Sequence, residues 1–147
     1  MSDSRNTARI DYESLVTHIF EDAPFMRDLG VTLGAVAPGR VESRLPVLPR
    51  HCQQNGFLHA GVAAAIADHS AGAAAATLMP VGRSVLTVEF KVNLLRPGLG
   101  AQLRCVATVL KPGNRLSVAE SDLFMGDTNR EKLIAKATVT LAFVESS

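Results

Sequence analysis

Residues 53–76 read QQNGFLHAGVAAAIADHSAGAAAA, and the reading of this stretch decides the fold. From Cys52 to Gly82, Asp68 is the only Asp, Glu, Lys or Arg. The segment from Leu58 to Met79 reads as one long alanine-rich helix, apolar nearly all round. Such a helix has to be enclosed on most sides. Its length would suit a membrane span, but alanine is only weakly apolar and no basic cluster flanks the segment. A central Asp would also cost about 2.5–3.5 kcal/mol on insertion scales. A helix buried in a soluble protein is the expectation, with no membrane partner.

Outward from the helix the sequence changes period. Upstream, residues 10–29 read as one or two short amphipathic helices broken near Pro24, with Ile10, Leu15, Ile19, Phe20, Phe25, Met26 and Leu29 as their apolar residues. A strand pair follows, about Val31–Val36 and Val41–Leu48, turned by APGR. The loop PRHCQQNGF then leads into the helix. Downstream of MPVGR, Leu86, Val88, Phe90, Val92 and Leu94 alternate with Thr87, Glu89, Lys91 and Asn93, which is the pattern of a half-buried strand. Three further strands, AQLRCVATVLK, RLSVAESDLFM and KLIAKATVTLAFV, are separated by RPGLG, PGN and GDTNRE. Four consecutive strands with short turns predict an antiparallel meander.

About six strands must bury their apolar face on something, and the helix needs covering. An α+β hotdog fold, a curved antiparallel sheet wrapped round one central helix, meets both needs. The alternative is a flat sheet with the helix lying on it. No linker or repeat divides the chain, so residues 1–147 are expected to form one domain: an N-terminal helical segment, 1–29, and a hotdog core, 30–147.

Composition narrows the function. The net charge of +1 gives no basic footprint for nucleic acid. The N-terminus MSDSRNTARIDYES has no apolar h-region, so no secretory signal is visible. Cys52 and Cys105 stand far apart, as two thiols in a reducing compartment would. A cytoplasmic location is expected. His51, His59, His69 and Asp68 match no zinc spacing, and no metal is predicted. His69, adjacent to Asp68 but about 100° round the helix, reads as a core or interface histidine. Ser70 lacks the G-x-S-x-G context of a nucleophile.

The lone carboxylate is the chemical clue. On a helix the neighbours of Asp68 are Gly61, Ala64, Ala65, Ala71, Gly72 and Ala75, all small. That face is built for close approach by another helix or a ligand. The competing structural reading is an ion pair with Arg83 or Lys91. At the helix start, first-turn amides are unsatisfied and can hold an oxygen that becomes anionic. A carboxylate and such amides are the two parts an acyl-transfer hydrolase requires. Yet Ala60 and Asp68 are eight residues apart, about 12 Å along one helix. Two helices packed antiparallel about a two-fold axis would bring the start of one to the Asp68 of the other. The spacing therefore predicts a site shared between the subunits of a homodimer.

The stretch NGFLHAGVAAAIAD, followed by TVEFKVNLLRPG, resembles the PaaI-like branch of hotdog-fold acyl-CoA thioesterases over about Arg40 to Val144. That family's pattern is roughly G-x-x-H-G-G, then Asp seven positions on, with a later strand ending in a Leu-x-Pro-like corner. The resemblance implies hydrolysis of a small-molecule acyl-CoA without a bound cofactor, in a dimer that pairs into a tetramer. It implies that Asp68 is the general base or nucleophile, and that the Ala60 amide polarises the thioester carbonyl. His59 would hold the loop, and Gln53 falls where relatives place an Asn that orients water or substrate. Thr87 falls where relatives have a hydroxyl near the carboxylate. Two positions depart from the pattern: Ala60 replaces the second Gly, and Gln53 is one methylene longer than Asn. Strand alternation also sets Thr87 opposite Leu86 and Val88, which would turn it away if those faced the helix. Arg83, Arg96, Lys111 and Arg115 are candidates for the coenzyme A phosphates. The rival functions are a non-catalytic acyl-CoA-binding protein and a hotdog hydratase or dehydratase, whose His and acidic motif HAG does not match.

Overall fold

A computed structural model of the chain describes residues 11–127 and 129–147. Ile10, expected in the first helix, lies outside them. The order is α1 (Tyr12–Glu21), α2 (Pro24–Leu29), β1 (Thr32–Ala37), β2 (Arg40–Pro46), a 3-10 turn (Pro49–His51), α3 (Ala60–Ala76), β3 (Arg83–Leu94), β4 (Gln102–Lys111), β5 (Leu116–Met125) and β6 (Lys132–Glu145). All six strands form one antiparallel sheet, ordered β1-β2-β4-β5-β6-β3. The sheet wraps α3, as the hotdog expectation required.

The meander holds only for β4, β5 and β6. Helix α3, about 25 Å long, delivers the chain to the far edge, where β3 pairs with β6. Residues 95–101 then return across three strand spacings, about 14 Å, well within the reach of seven residues. Backbone bonds tie this connector down along its length. The Leu95 and Arg96 amides donate to the Ile134 carbonyl, the Leu58 amide to Gly98, and the Val47 amide to Ala101. Gly98 is needed there, because a Cβ would sit 2.7 Å from the Leu58 Cβ and 2.9 Å from the Met125 sulfur.

Alternation sets the core. On β5, Ser117, Ala119, Ser121, Leu123 and Met125 point inward, and on β6 so do Ala135, Ala137, Val139, Leu141 and Phe143. They meet Ala63, Ile66, Ala67, Ala71 and Ala75 of α3. Alanine on the helix lets the curved sheet come close, so the larger side chains belong to the strands. Burying a residue such as Leu141 contributes about 1.5–3 kcal/mol. Beneath the middle of α3 the core turns polar: Ser43 and Ser70 hydroxyls bond at 2.8 Å, and Ser121 donates to the Ala67 carbonyl at 2.7 Å. The Cys105 thiol sits among them, and burial pushes it up to about 11.

Helix α1 starts at Asp11, whose carboxylate accepts the Ser14 amide. It lays Val16 and Phe20 against Ala73 and Ala74 of α3. Phe25, read as apolar packing, is instead exposed, while its neighbour Met26 is buried. Among the described residues no helix is long and apolar enough to cross a membrane.

Candidate functional site

The two chemical groups singled out in the sequence line different cavities. The first, about 390 Å³, holds Asp68 and Thr87 with Ile19, His69, Val85 and Leu141. The second, about 380 Å³, holds Gln53 and Ala60 with Phe57, Leu94, Arg96 and Pro97. No residue is common to both. Asp68 and Thr87 thus meet within one chain, Gln53 and Ala60 likewise, and the two pairs remain apart.

Thr87 donates its hydroxyl to Asp68 Oδ1 at 2.6 Å. Simple alternation argued against this contact, and a β-bulge overturns it. The register of β3 on β6 slips between Thr87 and Glu89, so Thr87 stands opposite buried Leu141 while Val92 stands opposite buried Ala137. Val88 is the extra residue, and inward positions are odd-numbered before it and even-numbered after it. The slip aims both Thr87 and Val92 at the helix, turns Leu86 and Val88 outward, and carries Lys91 to the outer face. Asp68 has no ion pair among the described residues, so pairing with Arg83 or Lys91 is ruled out. The carboxylate is half-buried in an open cavity and keeps Oδ2 available.

Its small neighbours divide in two. Ala71 and Ala75 are fully buried against the sheet, while Ala64, Ala65 and Gly72 are only half-buried beside Asp68. The half-open group is a smooth strip on which another helix or a ligand can lie.

At the other end, α3 begins at Ala60 with His59 as its cap. The His59 Nδ1 accepts the Gly61 amide at 2.8 Å, so that first-turn donor is already satisfied. Of the first-turn amides only that of Ala60 has no acceptor among the described residues, and Ala60 lines the second cavity. The expected cluster of donors narrows to one, and His59 acts as cap rather than lining either cavity. The loop before it closes through a bridge between Cys52 and Leu58. Gly56 makes the turn with φ +83°, a conformation that side chains resist. The Gln53 carbonyl group accepts the Asn55 amide, which leaves the Gln53 –NH₂ as a donor toward the cavity.

The other histidines hold backbone. His51 is buried, accepts the Leu48 amide at Nδ1 and donates Nε2–H to the Leu29 carbonyl, which anchors the loop. His69 donates Nε2–H to the Ile19 carbonyl at 2.9 Å and packs edge-on against Phe20. Burial lowers its pKa below the usual histidine value. The expected core role therefore fits, with an added consequence. His69 pins α1 over the Asp68 cavity, so that His18, Ile19, Asp22 and Ala23 become its walls. No sequence pattern signals this, because α1 reaches the site only through tertiary packing.

The sequence profile of the thioesterase superfamily matches residues 55–132, more than half of the chain. Both motif stretches, Asn55–Asp68 and Thr87–Gly98, lie within that span. Human acyl-coenzyme A thioesterase 13 is 32% identical over 118 residues, covering 79% of this chain and 82% of the human protein. A thioesterase family protein from Silicibacter pomeroyi superposes with a TM-score of 0.89 at 39% identity, covering 92% of this chain and 99% of its own. The PaaI protein of E. coli superposes with a TM-score of 0.82 at 16% identity over 92% of this chain and 95% of its own, a likeness of fold alone.

Proposed function

The chain belongs to the thioesterase superfamily and is a thioester hydrolase, and from that premise we propose that it hydrolyses acyl-coenzyme A at sites shared between two copies. The supporting observation is the separation of two half-sites. One has a carboxylate held by a hydroxyl but no unpaired helix-start amide among the described residues; the other has such an amide but no carboxylate or histidine in its lining.

Each site takes Asp68 and Thr87 from one copy and Ala60 and Gln53 from the other. The thioester carbonyl accepts the Ala60 amide, which is aimed at the charge that develops on oxygen. Thr87 fixes one carboxylate oxygen, so the other faces water. Asp68 takes a proton as the water oxygen bonds to the carbonyl carbon. The tetrahedral intermediate collapses, the C–S bond breaks, and the sulfur leaves as the thiol with the proton returned by Asp68. In the alternative route Asp68 attacks the carbonyl directly, the C–S bond breaks to release the thiolate, and water cleaves the resulting anhydride, its two protons going to the thiolate and the medium. Neither route uses a resident metal or cofactor.

The edge strand β3 supports a two-fold pairing. It is 12 residues long, and Leu86 and Val88 are nearly three-fifths exposed (58% and 59%). Long apolar edges invite another strand. Pairing β3 with its copy would continue the sheet and set the two α3 helices side by side, antiparallel, along the smooth strip beside Asp68. Two such dimers joining would give the tetramer implied by the resemblance, a state that light scattering reads directly.

The test is thiol release from short, medium, long and aryl acyl-CoAs, with wild type and Asp68→Asn. General base catalysis is worth about 10²–10⁴-fold, so Asp68→Asn should lose at least that lower bound in kcat while its circular dichroism is unchanged. Unchanged turnover would reject the role of Asp68. A thioester that binds without releasing thiol, or that gains or loses water intact, would reject hydrolysis.

A further inference from the structure

Beyond the second cavity lies a third, about 530 Å³, lined by Arg96, Leu99, Asp127, Arg130 and Lys132 among others. It shares Arg96, Pro97 and Ile134 with the cavity that Ala60 lines, so the two adjoin along these residues. Three cations and one carboxylate line its outer end. Arg96 is fixed at the junction by donating to the Leu133 carbonyl at 2.7 Å. Neither Arg130 nor Lys132 has an ion pair among the described residues.

Neighbouring cations are spent differently. Arg104 is held by Glu42 and Glu131, and Lys136 by Glu120 and Asp122. Lys111 and Arg115, candidates in the sequence, lie at the opposite end of the sheet. Leu116 pairs with Ala142 there, whereas Met125 pairs with Lys132 at the groove end. Arg83, opposite Glu145, also lies at the far end. Within one copy, of the four basic residues expected near phosphate, only Arg96 is at the mouth of the Ala60 cavity.

Resting on the acyl-CoA reading above, we propose that the groove from Ala60 past Arg96 to Arg130 and Lys132 binds coenzyme A, its pantetheine arm in the second cavity and its nucleotide phosphates on Arg130 and Lys132. The chemistry fits in sequence. A thioester carbonyl on the Ala60 amide sends its thiol side outward. The walls of Phe57, Leu94 and Pro97 suit the arm, and uncompensated cations suit phosphates at its end.

The experiment compares wild type with the doubly charge-reversed Arg130→Glu, Lys132→Glu on two substrates carrying the same acyl group: the acyl-CoA and the acyl-N-acetylcysteamine thioester, which lacks the nucleotide. KM for acyl-CoA should rise about tenfold or more, with kcat and the truncated substrate within twofold of wild type. Binding of adenosine 3′,5′-bisphosphate, followed by calorimetry, should weaken in parallel. An unchanged KM for acyl-CoA, or an equal loss on both substrates, overturns the site. Should wild type hydrolyse neither thioester, the hydrolase reading fails by itself. The calorimetry then still decides the phosphate site, because loss of nucleotide binding in the variant upholds it and equal binding overturns it.

Discussion

The two proposed half-sites stand on one helix yet are built from different materials. At Asp68, mid-helix, the chemistry is a side chain, and its setting is made by a hydroxyl from the edge strand and walls from α1. At Ala60, the first helical residue, the chemistry is backbone, and its setting is a loop closed by Gly56 and anchored by His51. The difference teaches that the two halves tolerate change differently. The first depends on residue identity, the second on the position of a helix start.

The comparison breaks most sharply when one half is removed from each copy. Ala60→Pro deletes the amide while suiting the first helical position, and His59 already has the extended backbone (φ −66°, ψ 133°) that a following proline demands. Loss of one oxyanion donor costs about 10²–10³ in kcat, so Ala60→Pro and Asp68→Asn should each be nearly inactive. Mixed and re-paired, they should recover about a quarter of wild-type activity, since half the dimers are hybrids with one intact site of two. No recovery in hybrids verified by mass would place both halves in one copy.

A smaller effect is expected at Thr87. Thr87→Val keeps the shape of the strand residue and removes the bond to Asp68. Such a bond to a charged group is worth about 1.5–3 kcal/mol, so kcat should fall roughly tenfold or more with KM little changed. Thr87→Ser should restore most of it. A Thr87→Val variant at full activity would reduce the hydroxyl to packing.

His59→Ala tests the backbone half as a matter of stability. Loss of a helix cap costs about 0.5–2 kcal/mol, and thermal unfolding should shift down by several degrees, with kcat reduced less than in Ala60→Pro. A loss of kcat equal to that of Ala60→Pro at unchanged stability would make His59 a participant in the chemistry.

The smallest effect concerns pH. Burial depresses the folded-state pKa of His69 below the ordinary histidine value of 6.5. The unfolded chain therefore takes up the proton first as pH falls. The contribution of neutral His69 is complete above about pH 6.5 and is lost as pH drops toward the folded pKa. Melting temperature should decline through that window, and less steeply in His69→Gln. Identical slopes would assign the acid sensitivity to other groups.

The helix, the strands and the candidate residues were legible because each rests on local pattern. Alanine without charge marked α3, alternation marked the strands, and a lone Asp in a small-residue run marked the reactive face. Strand order was not legible, since four strands and three turns fit a meander as well as a sheet whose first strand crosses to the far edge. The orientation of Thr87 could not be settled from alternation, because a bulge at Val88 leaves no mark in an alternating run. Arg130, in a turn, and Lys132, at the start of the last strand, gave no signal because both read as solvated surface.

Which segments are helix and strand, and which side chains are candidates for chemistry, follows from the sequence, because periodicity and the cost of burying a charge are local matters. Tertiary structure alone decided which groups meet. Thr87 reaches Asp68 through an inserted residue, α1 reaches the site through His69, and Ala60 stays apart from Asp68 because a rigid helix fixes the span between them.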